Sequence, residues 1–220
     1  YIESKLGNVL EVANGSTNNG ANVQIATWGK NAKQKWKLVK KSDMSDFYSI
    51  MGTTSTTASQ MANYFTAKGG KYPYSDNKDV PTIKDFCQIY IDECKVEGVK
   101  AEVAFAQAMM ETGFLRFGGD VKKEQYNFAG LGATGNGASG NGFKSIRIGI
   151  RAQVQHLKAY ACEEALNQDC VDTRFDLVAR GSAPYVEWLG QQENPNGGGW
   201  AAGSDYGEKL RKLLAQLKAE

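Results

Sequence analysis

The sequence predicts an α-rich α+β protein in which a helical domain follows a small N-terminal β segment. From residue 49 onward, apolar residues recur at helical spacing, and capping residues or glycines bound the segments. In residues 1–40, short alternating runs are separated by Asn-Gly turns, which is typical of strands. The stretch 41–48 between them is polar, so we expect it to be a linker.

Two alternating runs, Val9–Val12 and Val23–Ala26, predict the strands of the β segment. The Asn-Gly pairs at 14–15 and 19–20 are strong turn signals between these runs. Residues 1–48 carry a net charge of +3, whereas the rest of the chain carries −1. This difference in charge also indicates that the first part of the chain is a separate unit.

Three helices are predicted in the first half of the helical domain. Thr57 and Gln60 form a capping box for the first of them. Thr82 opens the second, whose apolar stripe ends at Gly98. The third helix spans residues 101–112 and is rich in Ala and Met.

The second half of this domain alternates helices with glycine-rich loops. Residues 118–142 contain eight glycines, which predicts a loop or a short hairpin. Residues 146–161 form a strongly amphipathic pattern that predicts a long helix. Three more helices are predicted: one capped by Asp172 or Thr173 and ending at 180–181, a short one at 184–189, and a final one capped by Ser204.

Composition and charge argue against several classes of function. The net charge is only +2, so no positive field favours nucleic acid as a partner. No apolar run approaches the roughly 20 residues that span a bilayer, so we expect no membrane insertion. The chain has one histidine, His156, which rules out a multi-His metal site and leaves a single base for a Ser or Cys nucleophile. We therefore predict no metal and no other cofactor, and a structural role for this histidine.

The four cysteines contain no Cys-x-x-Cys pair, so a structural zinc site is not expected. Cys87 and Cys94 share a predicted helix, in which a separation of about 10 Å is too long for a disulfide. We predict that both are buried thiols. Cys162 and Cys170 bracket a short polar loop, where the sequence fits either a disulfide or two free thiols.

Glu111 is the first candidate catalytic residue. It lies in the last turn of the most apolar predicted helix, directly after Met109 and Met110. Apolar surroundings and the negative end of the helix dipole both disfavour a charged carboxylate and raise its pKa. A carboxylic acid that stays protonated near neutral pH is what glycoside cleavage needs as its general acid. The alternative is a surface glutamate on the polar face of an amphipathic helix.

The β segment contains, in order, the Asn-Gly-rich stretch 14–22, Gln24, Trp28 and the ending Gln34-x-Trp36. These features resemble one repeat of a ricin-type β-trefoil lectin. That fold needs three such repeats of about 40 residues each, because one repeat cannot bury its apolar face alone. The resemblance therefore implies further lectin repeats upstream in the full-length chain.

Four segments of the helical domain follow one another in a recognisable order: Ala106–Gly113, Tyr126–Leu131, Phe143 to the following helix, and Trp200–Tyr206 with Lys209-Leu210. In this order they resemble the motifs of the bacterial glucosaminidases of glycoside hydrolase family 73. The resemblance implies a lysozyme-like fold with a cleft between two lobes, in which Glu111 stands at the position of the general acid. It also implies a secreted, cell-wall-associated enzyme that cleaves β-1,4 bonds after N-acetylglucosamine in peptidoglycan.

The same resemblance implies roles for further residues. Tyr206 matches the second tyrosine of the family's closing motif and is expected to bond the substrate's acetamido group or to steady charge. Trp200 replaces the first tyrosine of that motif, and a Trp in a glycine-rich loop is suited to stacking on a sugar. Tyr126, Asn127 and Phe128 are expected to line the cleft, with the Asn binding the acetamido group.

The sequence departs from the family at the second carboxylate. Many members carry a second Glu on a β-hairpin, whereas residues 132–142 here contain no carboxylate. Our working hypothesis is that the substrate's own 2-acetamido group attacks the anomeric carbon, a mechanism that needs one acid. The other mechanism draws a second carboxylate from Asp120, Glu124 or Glu187.

Three alternative functions stay open on the sequence. A muramidase or lytic transglycosylase on the same fold cleaves after the other sugar of peptidoglycan. A non-catalytic glycan-binding protein fits the missing second carboxylate and the lectin-like repeat. An endoglycosidase of N-linked glycans acts on a chitobiose core that presents the same sugar.

Overall fold

The computed structural model describes residues 2–4, 6–16, 21–36, 47–133 and 139–220. The chain folds as two compact units, Tyr1–Asp46 and Phe47–Glu220. Across the described ranges, no helix combines the length and the apolar character that a membrane crossing requires.

The first unit contains an antiparallel pair of strands, β1 (Asn8–Val12) and β2 (Val23–Thr27). Both strands lie where the alternating runs predicted them. The predicted turn at 14–15 is confirmed, because Asn14 and Gly15 both adopt positive φ after β1. The second predicted turn, at 19–20, lies outside the described residues.

The Gln34-x-Trp36 segment is hydrogen-bonded to β1. The Gln34 side-chain amide donates to the Glu11 carboxylate at 2.9 Å and to the Thr27 carbonyl at 2.8 Å. The Trp36 indole N–H donates to the Leu10 carbonyl at 2.9 Å. Because Glu11 and Gln34 are both buried, these bonds replace the apolar contacts that so small a unit cannot supply.

The second unit is built from helices that pack around one apolar core. Helix α2 packs against α1, α3 and α4, and α5 packs against α3 and a 3₁₀ turn at Val186–Leu189. The five α-helices of the described residues are α1 (Ala58–Ala67), α2 (Ile83–Glu97), α3 (Ala101–Glu111), α4 (Ile146–Ala161) and α5 (Tyr206–Leu217). The predicted α-rich α+β class is confirmed.

Local signals set the helix boundaries as predicted. The capping boxes Thr57–Gln60 and Thr82–Asp85 are both formed at the starts of α1 and α2. Gly98 ends α2 in the left-handed conformation at φ 74°, which glycine adopts without strain.

Helix α3 forms the centre of this unit. Every residue from Ala101 to Met109 is buried, as expected for a helix that is apolar on all sides. Two polar residues, Glu102 and Gln107, are fully buried within this apolar stretch. The helix becomes accessible at its last residue, Glu111, which therefore lies at the border between core and solvent.

Three predicted elements differ from the structure. The helix predicted from Asp172 or Thr173 is a 3₁₀ turn at Phe175–Leu177. One Asp172 carboxylate oxygen accepts the Arg174 N–H at 2.9 Å, and the other lies 2.6 Å from His156 Nδ1, which ties this segment to α4. The short helix at 184–189 is also a 3₁₀ turn. Ser204 does not cap α5, since Asp205 occupies the N-cap position with φ 60°.

The described part of the glycine-rich stretch forms loops, and all four cysteines are free thiols. The described residues of the glycine-rich stretch, 118–133 and 139–142, contain no strand, so the loop alternative is the observed one there. Cys87 and Cys94 are buried free thiols, as predicted. Cys162 and Cys170 are free as well, and the Cys170 thiol donates to the Asp172 carbonyl at 3.4 Å.

Two glycines allow the loops around Glu111 to approach the helices. A Cβ at Gly149 of α4 would lie 1.8 Å from the Tyr126 carbonyl oxygen, so the loop that follows Tyr126 lies directly on this helix. A Cβ at Gly207 would lie 2.4 Å from the Glu187 Cα, which brings the start of α5 against the Val186–Leu189 turn. Together these contacts place the 126–131 loop and Tyr206 beside the end of α3.

Candidate active site

Glu111, the last residue of α3, opens onto a pocket of about 190 Å³. One side of this pocket is the loop after α3, and the other side is the loop after Tyr126. Its Oε2 faces Gly130, whose added Cβ would lie 4.0 Å away. The lining residues are Glu111, Thr112, Phe117, Gly118, Gly119, Asp120, Val121, Asn127, Gly130 and Ala133.

The surroundings of Glu111 favour a protonated carboxyl. Its side chain is accessible from the pocket, but the protein around it removes much of its water, and this desolvation raises the pKa of Glu111 above its ordinary value. The hydrogen bond from Tyr206 is the opposing, smaller influence, because it stabilises the carboxylate and lowers the pKa. The raised pKa agrees with the one expected from the end of an apolar helix.

Tyr206, the first residue of α5, donates from its hydroxyl to Glu111 Oε1 at 2.5 Å. The same hydroxyl oxygen accepts the side-chain N–H of Gln107 at 3.0 Å. Burial, together with the neighbouring Glu111 carboxylate, raises the pKa of Tyr206 well above its ordinary value. Tyr206 therefore keeps its proton and acts as a neutral donor beside the acid.

The sequence reasoning missed Gln107. It lies one turn before Glu111 on the same helix, and its side chain is fully buried. The available signal was the glutamine itself, since an amide within an otherwise apolar helix needs a hydrogen-bonding partner in the core.

The three carboxylates that the sequence left open lie in different surroundings. Asp120 lines the same pocket as Glu111. Glu124 lines a separate pocket beside Tyr74 and Tyr126. Glu187 accepts the Tyr48 backbone N–H at 3.0 Å and pairs with Arg211 at 2.8 Å. Among the three, the structure brings Asp120 together with the acid.

The loop residues predicted to line the cleft take three different positions. Tyr126 is half-buried, packs on Tyr74 and lies at φ 49°. Asn127 borders the Glu111 pocket, but its amide is engaged by the backbone of Leu131 and Asn141 at 2.9–3.0 Å. Phe128 is fully buried in an aromatic cluster of the core. Their predicted contacts with substrate stay predictions.

Trp200 is half-buried, and two rings from α4 pack against it. His156 and Trp200 form a T-shaped pair with 4.9 Å between ring centroids, and the Tyr160 ring lies at 5.9 Å from Trp200. His156 is itself held by the buried Asp172, whose carboxylate lies 2.6 Å from Nδ1. The histidine thus supports the tryptophan, which agrees with the structural role predicted for it.

No three His, Cys, Asp or Glu side chains in the described part of the chain are grouped so that they could hold a metal ion.

Two family models match the chain. The model described as mannosyl-glycoprotein endo-beta-N-acetylglucosaminidase matches residues 87–219, which is more than half of the sequence. The model described as ricin-type beta-trefoil lectin domain-like matches residues 3–72 and so extends beyond the repeat predicted at 1–40. Both resemblances drawn from the sequence motifs are confirmed.

One curated relative and one solved structure add to this comparison. An uncharacterized protein of Borreliella burgdorferi is 45% identical over 145 residues, which are 66% of this chain and 66% of that protein, just under two thirds of its length. The crystal structure of S. aureus autolysin E in complex with the muropeptide NAM-L-Ala-D-iGlu matches with a TM-score of 0.51 and 12% identity. The match covers 99% of this chain and 86% of that one, and it supports the lysozyme-like fold.

Proposed function

Because this chain belongs to the mannosyl-glycoprotein endo-β-N-acetylglucosaminidase family, we propose that it hydrolyses the β-1,4 bond after N-acetylglucosamine in peptidoglycan. The observation that carries this proposal is the Glu111 carboxyl, desolvated at the edge of a pocket and bonded to the Tyr206 hydroxyl. The solved autolysin, whose title names a muropeptide ligand, supports peptidoglycan as the substrate class.

In the proposed reaction, Glu111 is the general acid. Its proton passes to the glycosidic oxygen as the bond to the anomeric carbon breaks, and a carboxylate remains. Tyr206 donates to Oε1 of that carboxylate and so stabilises the charge that develops on it. The raised pKa keeps the acid protonated to higher pH than an ordinary glutamate.

We propose that the substrate's 2-acetamido oxygen is the nucleophile. It attacks the anomeric carbon while the leaving sugar departs, which forms a cyclic oxazolinium ion. The Glu111 carboxylate then takes a proton from water, which opens this ion and leaves the product with retained configuration. The absence of a carboxylate from residues 132–142 supports this route.

A second mechanism is favoured by the position of Asp120 in the same pocket. Here Asp120 acts as a general base on a water molecule that attacks from the opposite face of the sugar, which inverts the anomeric configuration. ¹H NMR of the first product formed distinguishes the two mechanisms, because acetamido attack gives the β anomer and base-assisted water attack gives the α anomer.

Other residues are proposed to hold either the substrate or the loop beside the acid. Trp200 offers a half-buried ring for stacking on a sugar, and the His156 ring packs against it. Tyr126 and Asn127 border the loop next to the acid, and Asn127 acts by holding that loop in place through its backbone hydrogen bonds. Phe128 supports the loop from within the core.

We also propose that the enzyme acts outside the cytoplasm, on the cell wall, because peptidoglycan is found there. The lectin-like match at residues 3–72 supports a carbohydrate-binding role for the N-terminal unit. Further lectin repeats upstream of residue 1 remain part of this proposal.

Digestion of purified peptidoglycan tests the function. We expect new reducing ends on N-acetylglucosamine, identified by mass spectrometry after borohydride reduction. Glu111→Gln should lower the rate about 10²–10⁴-fold, because a neutral amide cannot supply the proton. Glu163→Gln is the matched control, since Glu163 is exposed and lies outside the lining of the Glu111 pocket, and its rate should equal that of the wild type.

Other results of this digestion would indicate a different function or a different acid. Reducing or 1,6-anhydro ends on N-acetylmuramic acid indicate a muramidase or a lytic transglycosylase. Binding without cleavage indicates a glycan-binding protein, and cleavage of a chitobiose core alone indicates an endoglycosidase of N-linked glycans. Unchanged activity in Glu111→Gln contradicts the role of Glu111.

A further inference from the structure

The core of the helical unit contains a chain of buried polar side chains that ends at Glu111. Gln107 of α3, Gln153 of α4 and Tyr90 of α2 are each fully buried. Burying an amide or a hydroxyl in an apolar core is unfavourable unless its hydrogen bonds are made. The hydrogen bonds that join these three buried residues therefore indicate a role besides filling the core.

Hydrogen bonds link these residues in an unbroken series. Tyr90 Oη donates to Gln153 Oε1 at 2.8 Å, and Gln153 Nε2 donates to Gln107 Oε1 at 2.9 Å. Gln107 Nε2 donates to Tyr206 Oη at 3.0 Å, and Tyr206 Oη donates to Glu111 Oε1 at 2.5 Å. We call this series the Tyr90–Glu111 relay.

The direction of the relay is set by a backbone carbonyl. Gln153 Nε2 also lies 2.9 Å from the Ala104 carbonyl oxygen, which can only accept a hydrogen bond. This contact fixes which end of the Gln153 amide is the N–H₂ group. Gln107 must then present its oxygen to Gln153 and its N–H₂ group to Tyr206.

The fixed direction determines what Tyr206 can do. Its hydroxyl oxygen accepts from Gln107, so its single proton is directed at Glu111 Oε1. In a protonated carboxyl the carbonyl oxygen is the stronger acceptor, so the bond from Tyr206 favours Oε1 as the carbonyl oxygen and Oε2 as the oxygen that carries the proton. The other oxygen, Oε2, faces Gly130 and the pocket.

We propose that Gln107, Gln153 and Tyr90 are positioning residues that hold the Tyr206 hydroxyl as a donor to Glu111 Oε1 and thereby leave Oε2 to carry the transferable proton. The assignment of that proton to catalysis rests on the proposed function. In the transfer, the O–H bond at Oε2 breaks and a bond to the glycosidic oxygen forms, while Tyr206 keeps its own proton. The relay acts through Tyr206 and touches no substrate.

The groups that face the acid determine how its titration should respond. Tyr206 donates to Glu111 from α5, Asp120 lines the same pocket, and Tyr160 of α4 acts on Tyr206. Without the N–H of Gln107, the Tyr206 hydroxyl is less polarised and can rotate away from Oε1. The carboxylate form of Glu111 then loses stabilisation, so its pKa rises further.

The test is a ¹³C NMR titration of the side-chain carboxyl carbons in the full chain. The Glu111 signal is identified by its loss in Glu111→Gln. We expect Gln107→Leu to move the midpoint of this signal to higher pH, and Tyr206→Phe to move it in the same direction. Gln155→Leu is the matched control, because Gln155 is equally buried on α4 but bonds the 169–172 loop.

Kinetics give an independent readout. In Gln107→Leu, kcat should fall about tenfold, since one hydrogen bond that positions the acid is lost. The alkaline limb of the pH profile should move to higher pH, whereas in Gln155→Leu this limb stays where it is in the wild type. A loss of packing alone lowers activity without moving this limb.

The outcomes separate the relay from the proposed function. A wild-type protein without glycosidase activity overturns the proposed function, while the NMR titration still tests the relay. If Gln107→Leu does not fold, Tyr90→Phe removes a single hydroxyl and should give a smaller shift of the Glu111 midpoint in the same direction. If Gln107→Leu folds and its Glu111 titration midpoint equals that of the wild type, the relay is overturned. If only Tyr90→Phe folds, a wild-type midpoint in that variant overturns it.

Discussion

The two ends of helix α3 each carry a glutamate, and the two carboxylates have opposite surroundings. Glu102, in the first turn, is fully buried and accepts hydrogen bonds from Tyr48 Oη at 3.0 Å and from Ser55 Oγ at 2.8 Å. Thr54 caps the same end by accepting the Ala101 N–H at 2.9 Å. Glu111, at the last position, faces a pocket and accepts from the Tyr206 hydroxyl.

The difference separates a structural acid from a reactive one on the same helix. The helix dipole favours a negative charge at the first turn and disfavours it at the last. At Glu102 the donors from Tyr48 and Ser55 hold the 48–55 segment to the helix. At Glu111 desolvation and the dipole both oppose ionisation, which leaves a carboxyl that is suited to giving up a proton.

The largest expected effect on stability is at Glu102. Glu102→Leu should lower the free energy of unfolding by about 2–4 kcal/mol, because the Ser55 and Tyr48 donors lose a charged acceptor. Urea denaturation followed by circular dichroism measures this loss. Glu111→Leu is the matched substitution at the other end and should cost clearly less, since Glu111 accepts the hydroxyl of Tyr206, whereas Glu102 accepts donors from both Tyr48 and Ser55. Equal losses at both ends would remove the distinction between them.

A smaller effect is expected at the capping residue. Thr54→Val should lower the free energy of unfolding by about 1 kcal/mol, because the Ala101 N–H loses its acceptor at the start of the helix. Thr53→Val, an exposed neighbour, provides the control in the same denaturation experiment. The pH profile of catalysis should be the same in both variants, because neither touches the end of the helix that bears Glu111. A displaced profile in Thr54→Val would mean that the two ends are coupled.

The smallest expected effect is a change in the pH dependence of stability in Glu111→Gln. The raised pKa of Glu111 means that the folded protein holds this proton more tightly than the unfolded chain. Wild-type stability should therefore decrease, relative to the variant, as the pH rises from the ordinary value of 4.5 through the raised pKa. Melting temperatures across this range measure the difference. Wild-type stability that instead increases relative to the variant as the pH rises through this range would contradict the raised pKa.

Signals that act within a few residues were the ones that predicted structure. The capping residues Thr57 and Thr82 and the terminator Gly98 placed three helix boundaries, because each bonds or adopts its conformation within its own turn. The helix predicted from Asp172 or Thr173 was wrong although its local signal is formed, since Asp172 accepts the Arg174 N–H. The second carboxylate oxygen of Asp172 bonds His156, 16 residues earlier, and no local pattern indicates that partner.

The position of Glu111 at the end of an apolar helix can be predicted from the sequence, because composition and helix periodicity are local properties. This position and the family resemblance identify Glu111 as the candidate acid. The groups that surround the acid can be seen only in the folded protein. Tyr206 lies 95 residues away in the chain, and Gln153 reaches Gln107 from another helix. Helix packing alone brings them together, so the pairing of Glu111 with Tyr206, the direction of the relay and the place of Asp120 in the pocket follow from the fold.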